Sequence, residues 1–169
     1  KDISMKKLQT LKNTRYSGLK ELINIEIMEN YNHYIVKTAM KNISPHNTII
    51  DFGAGIGTLS MIFKNKYLID PICVEIDEEN IQFLLSRKLS SFRSLDEVDG
   101  LVDFIFSSNV LEHIDDDISI LTEMGQKLNE SGLIYLYLPA KMSLWTQLDD
   151  NVGHYRRYEI KELKDKCAK

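Results

Sequence analysis

Thr48-Ile49-Ile50-Asp51-Phe52-Gly53-Ala54-Gly55-Ile56-Gly57-Thr58 is a β-branched apolar run that closes in three alternating glycines. The helical pattern Thr58 to Phe63 follows it directly. A short apolar run bounded by glycines reads as a buried strand leading into a turn. Glycines at 53, 55 and 57 permit a tight turn and close approach of a ligand to the backbone, and the next helix offers unpaired N–H groups to that ligand.

The pattern repeats on both sides. Upstream, Leu19, Leu22, Ile23, Ile27, Tyr31, Tyr34, Ile35 and Thr38 recur at helical spacing from Ser17 to Met40, one or two amphipathic helices that Ser44-Pro45 stops. Downstream, Pro71 to Ile76 reads as a second strand, and Asp77 is placed to cap a helix from Glu78 to Leu89. Leu101 to Ser107 reads as a buried strand and Ile118 to Leu128 as a helix, with Gly132 ending it before the strand Leu133 to Leu138. Strands alternating with helices predict an α/β fold, a Rossmann-like doubly wound and mostly parallel sheet covered on both faces. In such sheets ligands sit beyond the carboxyl ends of the strands.

The chain has 169 residues, 43% hydrophobic and 27% charged, with three prolines and eight glycines. This composition excludes disordered and collagen-like classes and suits one domain. The uncharged apolar stretch Ser131 to Ala140 is half of the roughly 20 residues a membrane span needs, so no membrane insertion is expected. Cys73 and Cys167 are far apart and outside any Cys/His cluster, which gives no support for a disulfide framework and makes a reducing cytoplasm the default location. Residues 1–20 carry six basic and one acidic side chain, residues 154–169 six and three, around an acidic body that brings the net charge to −4.

Glu75 stands 22 residues past Gly53, at the end of the second strand, where a carboxylate can accept hydrogen bonds from both hydroxyls of a ribose. A nucleoside-containing cofactor follows, and two compete. The dinucleotide fingerprint G-x-G-x-x-G requires glycine at 58, where this chain has Thr58. An acid at Asp51 opposes a pyrophosphate but suits a ligand bearing an ammonium and a sulfonium group.

These residues resemble the class I S-adenosylmethionine-dependent methyltransferases. The likeness is carried by Asp51 to Leu59, then Val74-Glu75-Ile76-Asp77, then Val102 to Ile114 with Asn109-Val110-Leu111-Glu112-His113-Ile114 at its end, then Asn129-Glu130-Ser131-Gly132-Leu133-Ile134. A finer likeness, in Asn30 to Ile35 and in Leu138 through Trp145 to Tyr158, is to a bacterial subgroup often encoded near glycosyltransferases. The resemblance implies S-adenosyl-L-methionine as cofactor and S-adenosyl-L-homocysteine as product. It places Asp51 and Gly53 against the methionine end, has Ala54, Gly55 and Gly57 shape the turn, gives Glu75 the ribose, and puts Asn109 under the cofactor. The family's acid before the fourth strand falls at Ser91, so adenine is left to Ile76, Phe92 or Leu111. The implied sheet has seven strands in the order 3-2-1-4-5-7-6, of which five are expected here, in the order 3-2-1-4-5. Residues 1–45 then form a helical cap, 46–140 the cofactor core and 141–169 the start of an acceptor side. Strand five would be an open uncharged edge, so a continuing chain or a second copy in a homodimer is expected to cover it.

Histidine is the side chain best suited to act as base for a hydroxyl acceptor. His113 and His154 are the candidates that follow the fourth and fifth strands. His154 sits among Tyr155, Arg156, Arg157 and Tyr158, a cluster that either meets the acceptor or clamps the structure. His33 lies among aromatics at helical spacing, and His46 in a turn. Glu112, Asp115, Asp116 and Asp117 read as the first turn of the next helix rather than as a metal site. The expected activity is methyl transfer to the oxygen or nitrogen of a small-molecule or glycan acceptor. A nicotinamide-dependent oxidoreductase and a non-catalytic cofactor-binding module are the alternatives, and the acidic body argues against nucleic acid as a partner.

Overall fold

The computed structural model describes residues 19–44 and 46–168. The basic segment before Leu19, and Pro45, lie outside the described residues.

The long amphipathic pattern splits into α1 (Leu19–Glu26) and α2 (Glu29–Ala39). Asn32 of α2 donates its side-chain amide to the carbonyl of Ile25 at 2.8 Å, a second donor beside the Met28 N–H at 2.9 Å on a carbonyl at the end of α1. Alternation then runs β1 (Ile49–Phe52), α3 (Thr58–Tyr67), β2 (Ile72–Val74), α4 (Glu78–Ser86), β3 (Ser91–Phe92), β4 (Val102–Ser108), α5 (Asp117–Lys127) and β5 (Leu128–Tyr137). Two short helices follow, α6 (Gln147–Val152) and α7 (Ile160–Cys167). The cap expected at Asp77 is present: its carboxylate accepts from the N–H groups of Glu79 and Asn80.

The sheet is parallel throughout, in the order β3-β2-β1-β4-β5 that the family resemblance implies. Successive residues of a strand face opposite sides. Ile49, Phe104 and Phe106 therefore pack with Ile35, Val36 and Phe63 from α2 and α3. Ile50 and Ile105 pack on the other face with Leu121 and Met124 of α5, and Leu163 of α7 lies against that cluster. Two helical layers thus pin the strands, and the carboxyl ends of β1, β2 and β4 open toward one side of the sheet.

One expectation is corrected. Gly132 does not end a helix: α5 stops at Lys127 and the chain is extended from Leu128 onward, with a register irregularity opposite Val102 and Phe104. A Cβ on Gly132 would fall 2.9 Å from the Leu128 side chain, so the glycine serves a close approach within the bulged strand. The third strand of the expected order, β3, carries no alternating run of its own. It is two residues long and exists because Ser91 and Phe92 pair with Cys73 and Val74.

Candidate active site

The glycine turn after β1 is the first part of the site. Gly53, Gly55 and Gly57 have φ of +73°, +55° and +83°, the left-handed region that disfavours any other residue. A Cβ on Gly53 would lie 2.3 Å from a methyl of Val110, so the segment after β4 sits directly on the turn after β1. The N–H groups of Gly53 and Ala54 donate to the carbonyl of Val74 at 2.8 and 3.2 Å, which fixes the turn to the end of β2. Glu75 completes the cradle. One carboxylate oxygen accepts from the Gly55 N–H at 2.7 Å and the other from the Asp77 N–H at 2.9 Å. Each oxygen keeps a lone pair for a further donor. Leu22 of α1 packs over Gly55, and Glu26 pairs with Arg87 at 2.7 Å, so the first helix lies across the cradle.

Other expected cofactor residues are placed unevenly. Ile76 is 82% exposed beside the cradle, and Asn109 takes a positive φ of 54° while its N–H donates to the carbonyl of Tyr137 at 2.8 Å. Asp51 is turned inward: it is buried and accepts from the Ser60 hydroxyl at 2.5 Å. Burial pushes its pKa up to about 7, against the Ser60 hydrogen bond and with the help of the Glu75 charge. Leu111 is buried in the core, which removes it as an adenine contact; Phe92 is half-buried and packs against the same cluster.

The second part of the site lies two residues past Val110. The 3₁₀ turn Leu111–His113 follows β4, and α6 and its exit bring His154 against it. The rings of His113 and His154 meet edge-on, centroids 4.6 Å apart. The Nε2 atom of His154 is 4.0 Å from a carboxylate oxygen of Glu112, and Nδ1 is 2.8 Å from Asp149. Asp149 is itself gripped by Arg157 through two contacts of 2.8 Å and by Thr146 in a capping box at the start of α6. Arg157 holds its carboxyl well below the usual range, against burial and with help from Thr146 and His154. An ionised carboxylate only accepts, so the proton on His154 Nδ1 points at Asp149, the tautomer in which a neutral imidazole has its lone pair on Nε2.

Glu112 is fully buried, and burial lifts its pKa to about 7. His113 stays partly open to solvent, yet its ring is enclosed enough for desolvation, with His154 beside it, to bring its pKa down to about 4.

The structure thus unites His113 with His154, keeps Arg157 beside them on Asp149, and turns Arg156 and Tyr158 to Asp117. The acidic run divides: Asp116 caps α5 through Ser119 as expected, while Glu112 belongs to the histidines. The two arginines act as the clamp. Arg156 reaches the carbonyls of Ile114 and Asp115 and the Asp117 carboxylate, and the Tyr158 hydroxyl and Lys166 also reach Asp117. His33 lies on α2 and His46 in an exposed turn, both outside the pair. Asp149 is the functional residue that sequence reasoning missed. Its signal is Thr146-Gln147-Leu148-Asp149, a helix-start pattern with an acid at the third position.

The chain belongs to the methyltransferase-domain family, which matches residues 25–168. No curated protein matches the sequence. Among solved structures it is similar to a methyltransferase complexed with the Trm112 activator of Haloferax volcanii, at 15% identity and a TM-score of 0.74, over 91% of this chain and 74% of that one. An S-adenosylmethionine-dependent methyltransferase from Archaeoglobus fulgidus aligns at 21% identity and a TM-score of 0.68, over 83% and 66%. Phosphoethanolamine N-methyltransferase 2 of Haemonchus contortus, in complex with S-adenosyl-L-methionine, aligns at 15% and 0.66, over 82% of this chain and 36% of that one. At these identities the likeness is one of fold. The chain spans about a third to three-quarters of the length of these structures.

Proposed function

We propose that the chain binds S-adenosyl-L-methionine at the glycine turn and transfers its methyl group to an oxygen or nitrogen of a small-molecule or glycan acceptor at the His113/His154 side. The observation that carries this reading is the seam between the two parts of the site: Val110 rests on Gly53, and Glu112 and His113 follow within three residues. Bound there, the cofactor supplies an electrophilic methyl on a sulfonium. Glu75 would take the ribose hydroxyls, and Ile76 offers an apolar edge to a base. The inward Asp51 acts through the turn rather than by direct contact.

His154 is suited to remove a proton from the acceptor. Its Nδ1–H is directed to Asp149, which leaves Nε2 as the acceptor of that proton. Alignment of nucleophile and methyl carries most of the rate, about 7 to 11 kcal/mol of barrier, and a positioned base adds about 10²- to 10⁴-fold. No helix among the described residues is long and apolar enough to cross a membrane, which fits an acceptor met in water.

Isothermal titration with S-adenosylmethionine, S-adenosylhomocysteine and NAD tests the cofactor, with binding of the first two expected; binding of NAD alone would overturn the reading. A panel of sugars, lipid-linked glycans and small acids and amines, with methylated product followed by mass spectrometry, tests the acceptor class. Cofactor binding without any methylated product across such extracts would favour a non-catalytic module.

A further inference from the structure

We propose that Glu112, His113 and His154 form a binding site for a divalent transition-metal cation, zinc by the chemistry of the donor set, with Asp149 as the positioning residue for His154. One carboxylate oxygen and two ring nitrogens from these residues lie within 4.8 Å of one another. Zinc–nitrogen and zinc–oxygen bonds are about 2.0 to 2.2 Å, so the ligands of a tetrahedral ion are about 3.3 to 3.6 Å apart. The 4.0 Å between His154 Nε2 and Glu112 is close to that spacing before any side chain moves.

Two further observations point to a ligand here. Glu112 is 0% exposed, and among the described residues neither carboxylate oxygen accepts a hydrogen bond from another residue. A buried carboxylate left in that state carries an uncompensated desolvation cost, which a bound cation removes. The orientation of His154 is also that of a metal ligand. Metal-bound imidazoles nearly always donate their other N–H to a carboxylate or carbonyl, and here Asp149 takes the Nδ1–H and is held in turn by Arg157. Nitrogen and carboxylate donors together suit zinc over magnesium or calcium, which prefer all-oxygen sets.

Three protein ligands leave one tetrahedral position open, the arrangement of a catalytic rather than a structural zinc. An acceptor oxygen or nitrogen could occupy it, and the lone pair of His154 would then hold the cation instead of a proton. That last step rests on the methyl-transfer reading; the cation site does not.

The experiment uses the whole chain in a Cys167→Ser background, because Cys167 is an exposed free thiol and a thiolate is a competing ligand for zinc. After dialysis against a chelator, zinc sulfate is titrated calorimetrically and cobalt(II) is followed by its visible absorption. The expected result is one equivalent per chain and a tetrahedral cobalt spectrum without thiolate charge transfer. Glu112→Gln should weaken binding at least tenfold while leaving the metal-free protein as stable or more so, since it removes a buried charge. Asp149→Asn should weaken binding about 10- to 100-fold. No binding by the parent protein, or binding unchanged by Glu112→Gln, would overturn the proposal. A chain that binds the cation and transfers no methyl group would instead remove the methyl-transfer reading and keep the site.

Discussion

Asp149 and His154, five residues apart in sequence, meet at 2.8 Å because α6 ends on Gly153 in the left-handed conformation and the chain folds back on the helix start. The N–H of His154 donates to the backbone carbonyl of Asp149 at 2.9 Å, so the pair is tied through main chain as well as side chain. A histidine held this way has one nitrogen committed and one available, which is the requirement for a base or a ligand.

Replacing His154 by Gln tests that commitment. We expect kcat to fall by about 10²- to 10⁴-fold, the usual contribution of a positioned base, with the affinity for S-adenosylmethionine changed less than twofold. Steady-state kinetics beside calorimetry separates the two quantities. Unaltered kcat would take His154 out of the reaction.

Glu75 anchors the other half of the site, with one hydrogen bond to the turn and one to Asp77. Hydrogen bonds to charged groups contribute about 1.5 to 3 kcal/mol, so Glu75→Gln should weaken S-adenosylmethionine roughly ten- to a hundredfold. Thermal melting of the apo protein checks that the turn survives. Affinity equal to the parent's, with the fold intact, would show that the ribose is bound elsewhere.

Gly57 is required for a reason separate from the ligand. A Cβ there would sit 2.7 Å from Leu89 and 2.8 Å from Leu84, at a φ of +83°. Left-handed backbone costs a non-glycine residue about 1 to 2 kcal/mol, and overpacking a core adds about 1 to 3. Gly57→Ala should therefore lose roughly 2 to 5 kcal/mol in urea unfolding followed by the fluorescence of Trp145, the single tryptophan. A loss below 0.5 kcal/mol would mean that Leu84 and Leu89 yield easily.

Stability should respond to pH through Asp51. Its folded pKa of about 7 is above the usual value near 4, because burial disfavours the charged form. The folded protein therefore holds this proton after the unfolded chain has released it. The contribution to stability is full below pH 4 and is lost as pH rises toward 7. Asp51→Asn removes that decline, so the variant's stability should gain on the parent's between pH 5 and 7 in parallel urea titrations. A constant difference between the two across that range would exclude a raised pKa at Asp51.

The alternation of strands and helices, the glycine cradle and the place of Glu75 were legible in the sequence because each depends on local chemistry, whereas the order of the strands followed only from the family resemblance. Ile49 to Phe52 can only be a buried strand, three glycines allow a turn closed to other residues, and an acid at the end of the next strand borders that turn. The cap at Asp77 followed from the same kind of local signal. Gly132 and β3 were not legible, since a glycine that ends a helix and one that admits a bulge look alike, and a two-residue strand exists only through its partner β2.

What the sequence by itself determined was the alternation of strands and helices and the glycine turn with Glu75 beside it, through periodicity and turn chemistry acting over a few residues at a time. Only the tertiary structure decided that Asp51 turns inward to Ser60, that Arg156 and Arg157 are clamps, and that the buried Glu112 and the exposed His113 meet His154 at one corner with Asp149 behind it. These pairings join β1 to α3 and the turn after β4 to the exit of α6, segments up to 42 residues apart. Contacts of that range form when the sheet closes and buries charged groups that must then find partners, and no local pattern in the chain records which partners they find.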